Sequence, residues 1–159
     1  MTHGQLIEDD LTRSVIGAFY EVYNELGFGF LEHPCGLAME RELRFRNHVV
    51  IREYPATIYY KLEALCEQRL DMVVDGKLIV EIKSSPLLPS TAKRQLYNYL
   101  RATDFELGLL LHFGPEPKFY RQILTNDLKR ETRKSRFGHG LNRLNGFTRI
   151  YATTLFRVF

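Results

Sequence analysis

At 159 residues, with 45% hydrophobic, 13% aromatic and 26% charged side chains, the chain is long enough for one domain with a buried core. That composition is ordinary for a globular protein and excludes a disordered one, and no run approaches the roughly 18 apolar residues of a membrane span. Net charge is +3 but segregated: residues 1–117 carry 12 Lys/Arg and 17 Asp/Glu, whereas residues 118–159 carry 10 and 2.

Val15, Phe19, Val22 and Leu26 recur at helical spacing ahead of Gly27, which predicts an amphipathic helix over about 11–26. A second helix is expected over about 31–47, with Leu31, Cys35, Ala38, Met39 and Leu43 inward and Pro34 tolerated in its first turn. The pattern then changes to short runs rich in β-branched and aromatic residues, predicting strands over 48–54, 57–61 and 66–74. Asp75-Gly76 signals a hairpin into a strand over 77–83. Pro86 and Pro89 break the chain. Ser90 is placed to cap a helix to about Arg101, with Leu96, Tyr97 and Leu100 as its apolar stripe. Leu107–Leu111 reads as a strand buried on both faces, and 119–124 as a last strand. The order ααβββ(β)αβ(β) predicts an α/β fold, a central mixed sheet flanked by helices.

The chemistry concentrates in the hairpin. Asp71 lies in Leu70-Asp71-Met72-Val73-Val74, and Glu81 and Lys83 lie in Leu78-Ile79-Val80-Glu81-Ile82-Lys83. Charges inside such apolar strands are costly unless paired or bound to metal. Alternation places Leu70, Met72 and Val74 on one face and Arg69, Asp71 and Val73 on the other; Leu78, Val80 and Ile82 oppose Ile79, Glu81 and Lys83. Pairing the apolar sets puts Met72 opposite Val80, Asp71 opposite Glu81, and an odd-numbered or bulged loop between them. Asp71, Glu81 and Lys83 then converge on one face. Two close carboxylates repel unless a cation lies between them, and the set suits a hard ion, Mg²⁺ or Mn²⁺. Lys83 could orient or deprotonate a water and offset charge on a phosphate. The same string also suits an ion-pair network on an edge hairpin, and spacing alone leaves both open.

Flanking segments bring a family into view. Gly29-Phe30-Leu31-Glu32 after Leu26-Gly27, the Asp71 and Glu81-Ile82-Lys83 strands, Gln95-Leu96-Tyr97-Asn98-Tyr99-Leu100 and Leu107–Gly114 follow one another in order. Together they resemble the GxxExxY family of the PD-(D/E)XK nuclease-like superfamily, over about residues 8–124. The resemblance implies a restriction-endonuclease-like core with two N-terminal helices. It implies Glu32, Asp71, Glu81, Lys83 and Gln95 as active-site residues, with Asp71, Glu81, the Ile82 carbonyl and Glu32 about the metal. Two positions depart from the pattern. Cys35 stands where the family has Tyr, and His112 replaces an Asn; Cys35 reads as packing and His112 as a strand-end residue. His3, His33, His48, His112 and His139 show no zinc-ligand spacing with either cysteine.

The expected protein is therefore a Mg²⁺- or Mn²⁺-dependent nuclease hydrolysing DNA phosphodiesters. The alternative is a catalytically weak or inactive nuclease-fold module that binds nucleic acid or protein. The nuclease domain is expected over 1–124, and 125–159 as a basic tail contacting backbone phosphates, since Lys and Arg displace counterions. The start, Met1-Thr2-His3-Gly4, lacks the pattern of a secretory leader, and Cys35 and Cys66 read as free thiols in a reducing cytoplasm.

Overall fold

A computed structural model describes residues 8–61 and 63–130. Most of the expected basic tail, from residue 131 onward, lies outside the described residues. Helix α1, Asp9–Leu26, and helix α2, Glu32–Phe45, come first. Strands β1 (Val50–Tyr60), β2 (Glu63–Val74) and β3 (Leu78–Lys83) follow. Helix α3 (Ala92–Ala102) then leads to β4 (Leu107–Phe113) and β5 (Pro117–Ile123). These lie within a compact unit that ends at Thr125.

The five strands form one sheet in the order β1-β2-β3-β4-β5, with β3 and β4 parallel and the other neighbours antiparallel. A parallel pair needs a crossover, and α3 supplies it. Helices α1 and α2 cover one face, burying Val15, Phe19, Cys35, Met39 and Leu43 against Met72, Val74, Val80, Ile82 and Leu109. On the other face α3 packs Ala92, Leu96, Tyr99 and Leu100 against Leu70, Val73, Ile79 and Leu110. Gly108 is required there, because a Cβ on it would meet Leu96 Cδ1 at 2.7 Å.

Several expectations are corrected. The runs 48–54 and 57–61 are one strand, crossing Pro55. The missing N–H is tolerated because β1 is the sheet edge. The cap of α3 is Thr91 rather than Ser90, and it makes no side-chain cap bond. Its inward stripe uses Tyr99, which is buried, while Tyr97 is half-buried and lies near the guanidinium groups of Arg94 and Arg101.

The hairpin register holds at its turn and fails at the acid. Met72 pairs with Val80 and Val74 with Leu78, around a three-residue loop in which Asp75 (φ 52°) and Gly76 (φ 65°) are both left-handed. The β2–β3 ladder stops at Met72–Val80, so Asp71 and Glu81 are not ladder partners. Leu70 joins Val73 on the α3 face instead of sharing a face with Met72 and Val74. Residues three apart share a side only if the pleat is broken between them. On the neighbouring strand Glu53 has φ 52°, and the β1–β2 pairing omits both Glu53 and Asp71.

Candidate active site

The broken pleat frees the Asp71 carboxylate from the sheet surface. Its Oδ2 accepts the Ile82 N–H at 2.6 Å, so a side chain replaces the backbone acceptor where the ladder opens. Asp71 also lines a cavity of ≈ 190 Å³ with Glu32, His33, Arg52, Glu53 and Ile82. A larger cavity, ≈ 460 Å³, lies along Tyr54–Thr57 and Ala102–Phe105, with one acidic residue in its wall. Size therefore does not mark the chemistry here; the convergence of charges does.

Glu81 is 1% exposed. Lys83 Nζ donates to its Oε1 at 2.8 Å, while its Oε2 is enclosed with no hydrogen-bond partner among the described residues. Burial pushes the Glu81 carboxyl up to about 7, the Asp71 charge adds to the rise, and Lys83 opposes it. Burial raises Asp71 as well, against the Ile82 N–H and Lys83, with Glu32 and Glu53 adding repulsion. Burial would lower Lys83, but the hydrogen bond and charge of Glu81 outweigh it and hold the ammonium above its ordinary value. In this state Lys83 is a fixed cation rather than a base.

The remaining expected residues converge unequally. Glu32 opens α2 and is exposed, yet it lines the Asp71 cavity and its charge reaches Asp71, Glu81 and Lys83. Gln95 points its amide at another side chain, Nε2 donating to the Tyr99 hydroxyl at 2.8 Å. Tyr99 is raised by burial and, more weakly, by the charges of Glu81 and Asp71, so it belongs to the same electrostatic cluster. Tyr99 is not among the active-site residues that the family resemblance implies. Its position one turn after Gln95, on the face of Leu96 and Leu100, was the available signal.

Cys35 is fully buried, and burial raises its thiol despite its hydrogen bond with Ser84, which excludes a ready thiolate. The Ser84 hydroxyl donates to the Phe30 carbonyl, joining the loop before α2 to the end of β3. His112, beside Lys83 in the parallel register, is buried and holds the Ser85 carbonyl through Nε2 at 2.8 Å.

Ser14, His48 and Asp75 form a line that no sequence motif marks. Ser14 Oγ lies 2.7 Å from His48 Nε2, and His48 Nδ1 lies 2.7 Å from Asp75 Oδ2. Ser14 sits inside α1, where backbone N–H groups are consumed by the helix and none remains for an oxyanion. The line ties α1 to the hairpin turn.

The enclosed Oε2 of Glu81, next to the half-buried carboxylate of Asp71, is the acceptor a divalent cation would satisfy. The donor set therefore fits a hard metal. Among the described residues no group of three or more His, Cys, Asp or Glu side chains stands ready for one, so backbone or solvent oxygens would complete the shell.

The family model for the PD-(D/E)XK nuclease superfamily matches residues 9–129. The chain belongs to that superfamily, and its five-stranded mixed sheet with flanking helices is the α/β core expected of it. Nucleases of this class generally hydrolyse phosphodiester bonds with divalent metals such as Mg²⁺. The chain is also similar to the crystal structure of SSO0001, at 22% identity and TM-score 0.47, over 84% of this chain and 68% of that one. No curated protein gives a significant match. No helix among the described residues is long and apolar enough to cross a membrane.

Proposed function

We propose that the protein is a Mg²⁺- or Mn²⁺-dependent nuclease of the GxxExxY group that hydrolyses DNA phosphodiesters in the cytoplasm. The observation that carries this reading is the buried Oε2 of Glu81 beside Asp71, an oxygen with no partner among the described residues. Asp71, Glu81 and the Ile82 carbonyl would hold the metal, with Glu32 as a further carboxylate at the margin. When bound, the ion supplies Lewis acidity toward the phosphoryl group and makes a nearby water more acidic.

The chain's own residues set the geometry. Asp71 fixes the Glu81–Ile82 peptide through the Ile82 N–H. Lys83 spends one proton on Glu81 Oε1 and keeps two to neutralise charge on a phosphate oxygen. Because Glu81 keeps Lys83 charged, its role is electrostatic stabilisation, and proton abstraction by Lys83 requires Glu81 to be neutralised first. Tyr99 accepts from Gln95 and retains its own proton to donate, so Gln95 acts by orienting Tyr99. The basic tail would grip backbone phosphates.

The test is incubation of purified protein with single-stranded, duplex and branched DNA and RNA plus Mn²⁺. Cleavage of DNA is expected, lost by at least about 100-fold in Lys83→Ala and in Glu81→Gln. Activity that survives both substitutions undiminished contradicts the mechanism. Metal-dependent binding without turnover would favour the non-catalytic module, for which Cys35 in the motif's Tyr position is the one sequence feature.

A further inference from the structure

We propose that Arg52 forms an anion subsite beside the acids, a guanidinium fork that receives a phosphate group of the bound polynucleotide. The inference rests on the nuclease reading above. Arg52 lies on β1 opposite Met72, immediately before the left-handed Glu53 and next to the opened seam at Asp71. Its guanidinium rests against α2 at Gly36, where an added Cβ would stand 3.4 Å from Nη2.

Arg52 is poorly satisfied for a cation so enclosed. Its side chain is 18% exposed, and Nε is buried with no hydrogen-bond partner among the described residues. The facing acid is Glu40, with Oε2 at 3.7 Å from Nη1, beyond ordinary hydrogen-bond length. Glu40 is itself engaged, since its Oε1 holds Arg44 at 2.8 Å. The cation acting on Asp71 is Lys83. A half-buried guanidinium whose enclosed Nε–H is idle is costly unless an acceptor arrives.

Arg52 shares its cavity with Glu32, His33, Glu53 and Asp71. A phosphate suits it, because two oxygens can take parallel N–H···O bonds from one fork, which an ammonium cannot reproduce. The three acids of the cavity repel a bare anion. Phosphate binding at Arg52 therefore requires a divalent cation at the acids, and the two bind cooperatively.

Calorimetric titration of the full chain with thymidine 3′,5′-bisphosphate, with and without Ca²⁺, tests this. The parent protein should bind the bisphosphate in Ca²⁺ and at least about tenfold more weakly without it. Arg52→Ala and Arg52→Lys should each weaken bisphosphate binding at least about tenfold, with Ca²⁺ binding and the melting temperature maintained. Glu40→Gln should leave the affinity unchanged. Arg52→Lys keeps the charge, so it still reads the fork if the alanine variant fails to fold. Equal bisphosphate affinity in Arg52→Lys and parent overturns the subsite. Ca²⁺ binding without bisphosphate binding by the parent also overturns it and leaves the metal reading standing; absence of Ca²⁺ binding overturns both.

Discussion

Glu81→Gln should make the metal-free protein more stable at alkaline pH. The carboxyl is 1% exposed and titrates near 7, against an ordinary value of 4.5. Between those values the native protein holds a proton that the unfolded chain has released, so stability falls as pH rises through the window and levels off above about 7. At about 1.4 kcal/mol per unit, the ionised carboxylate costs about 3 kcal/mol at pH 8. Gln is close to an isostere of the neutral acid and still accepts from Lys83, so the variant escapes that cost. For a domain of this size the gain corresponds to roughly 6–12 °C in melting temperature. Thermal melts in EDTA at pH 4, 6 and 8 read it directly: the two proteins coincide at pH 4 and separate by pH 8. An equal or lower melting temperature for Glu81→Gln at pH 8 refutes the reasoning and returns Glu81 to the stable half of an ion pair with Lys83. Excess Mg²⁺ should then raise the parent and not the variant, because only a bound native state gains by mass action.

Asp75→Asn tests the turn. Burial opposes ionisation of Asp75, but the hydrogen bonds from His48 and Val49 prevail and hold its carboxyl below the ordinary range. The stabilisation is present above that range and lost as pH falls through the native value. Urea melts should show the variant about 1–2 kcal/mol weaker at pH 7, the gap closing in acid, with no backbone penalty because Asn tolerates the left-handed φ. Gly108→Ala should destabilise by about 1–3 kcal/mol through overpacking on Leu96; adding Leu96→Ala should recover part of that loss, a non-additivity that double-mutant melts detect. A thiol reagent should label exposed Cys66 in the folded protein and reach buried Cys35 only on unfolding. Equal labelling of both would contradict the placement of Cys35.

Helices and strands were legible wherever one periodicity ran uninterrupted, as in α1 and in the wholly buried β4. Pro55 misled because edge position, which excuses a missing N–H, is a property of the sheet. The turn register followed from apolar alternation, and Met72–Val80 pairing with a three-residue loop matches it. Alternation could not reveal its own interruption at Asp71, where one carboxylate takes over a ladder hydrogen bond and Glu53 turns left-handed. Glu32, Asp71, Glu81 and Lys83 were legible as a set through ordered motifs. Arg52 and Tyr99 were not, because their places depend on the strand register beside the opened seam and on Gln95 facing Tyr99 one turn later.

Calorimetric titration with Mn²⁺ tests most directly whether Asp71 and Glu81 form a metal-holding pair. The parent protein should bind the ion and melt at higher temperature in its presence, while an Asp71→Asn, Glu81→Gln double variant remains folded and does neither. No binding by the parent, or equal binding by the double variant, would contradict the metal site.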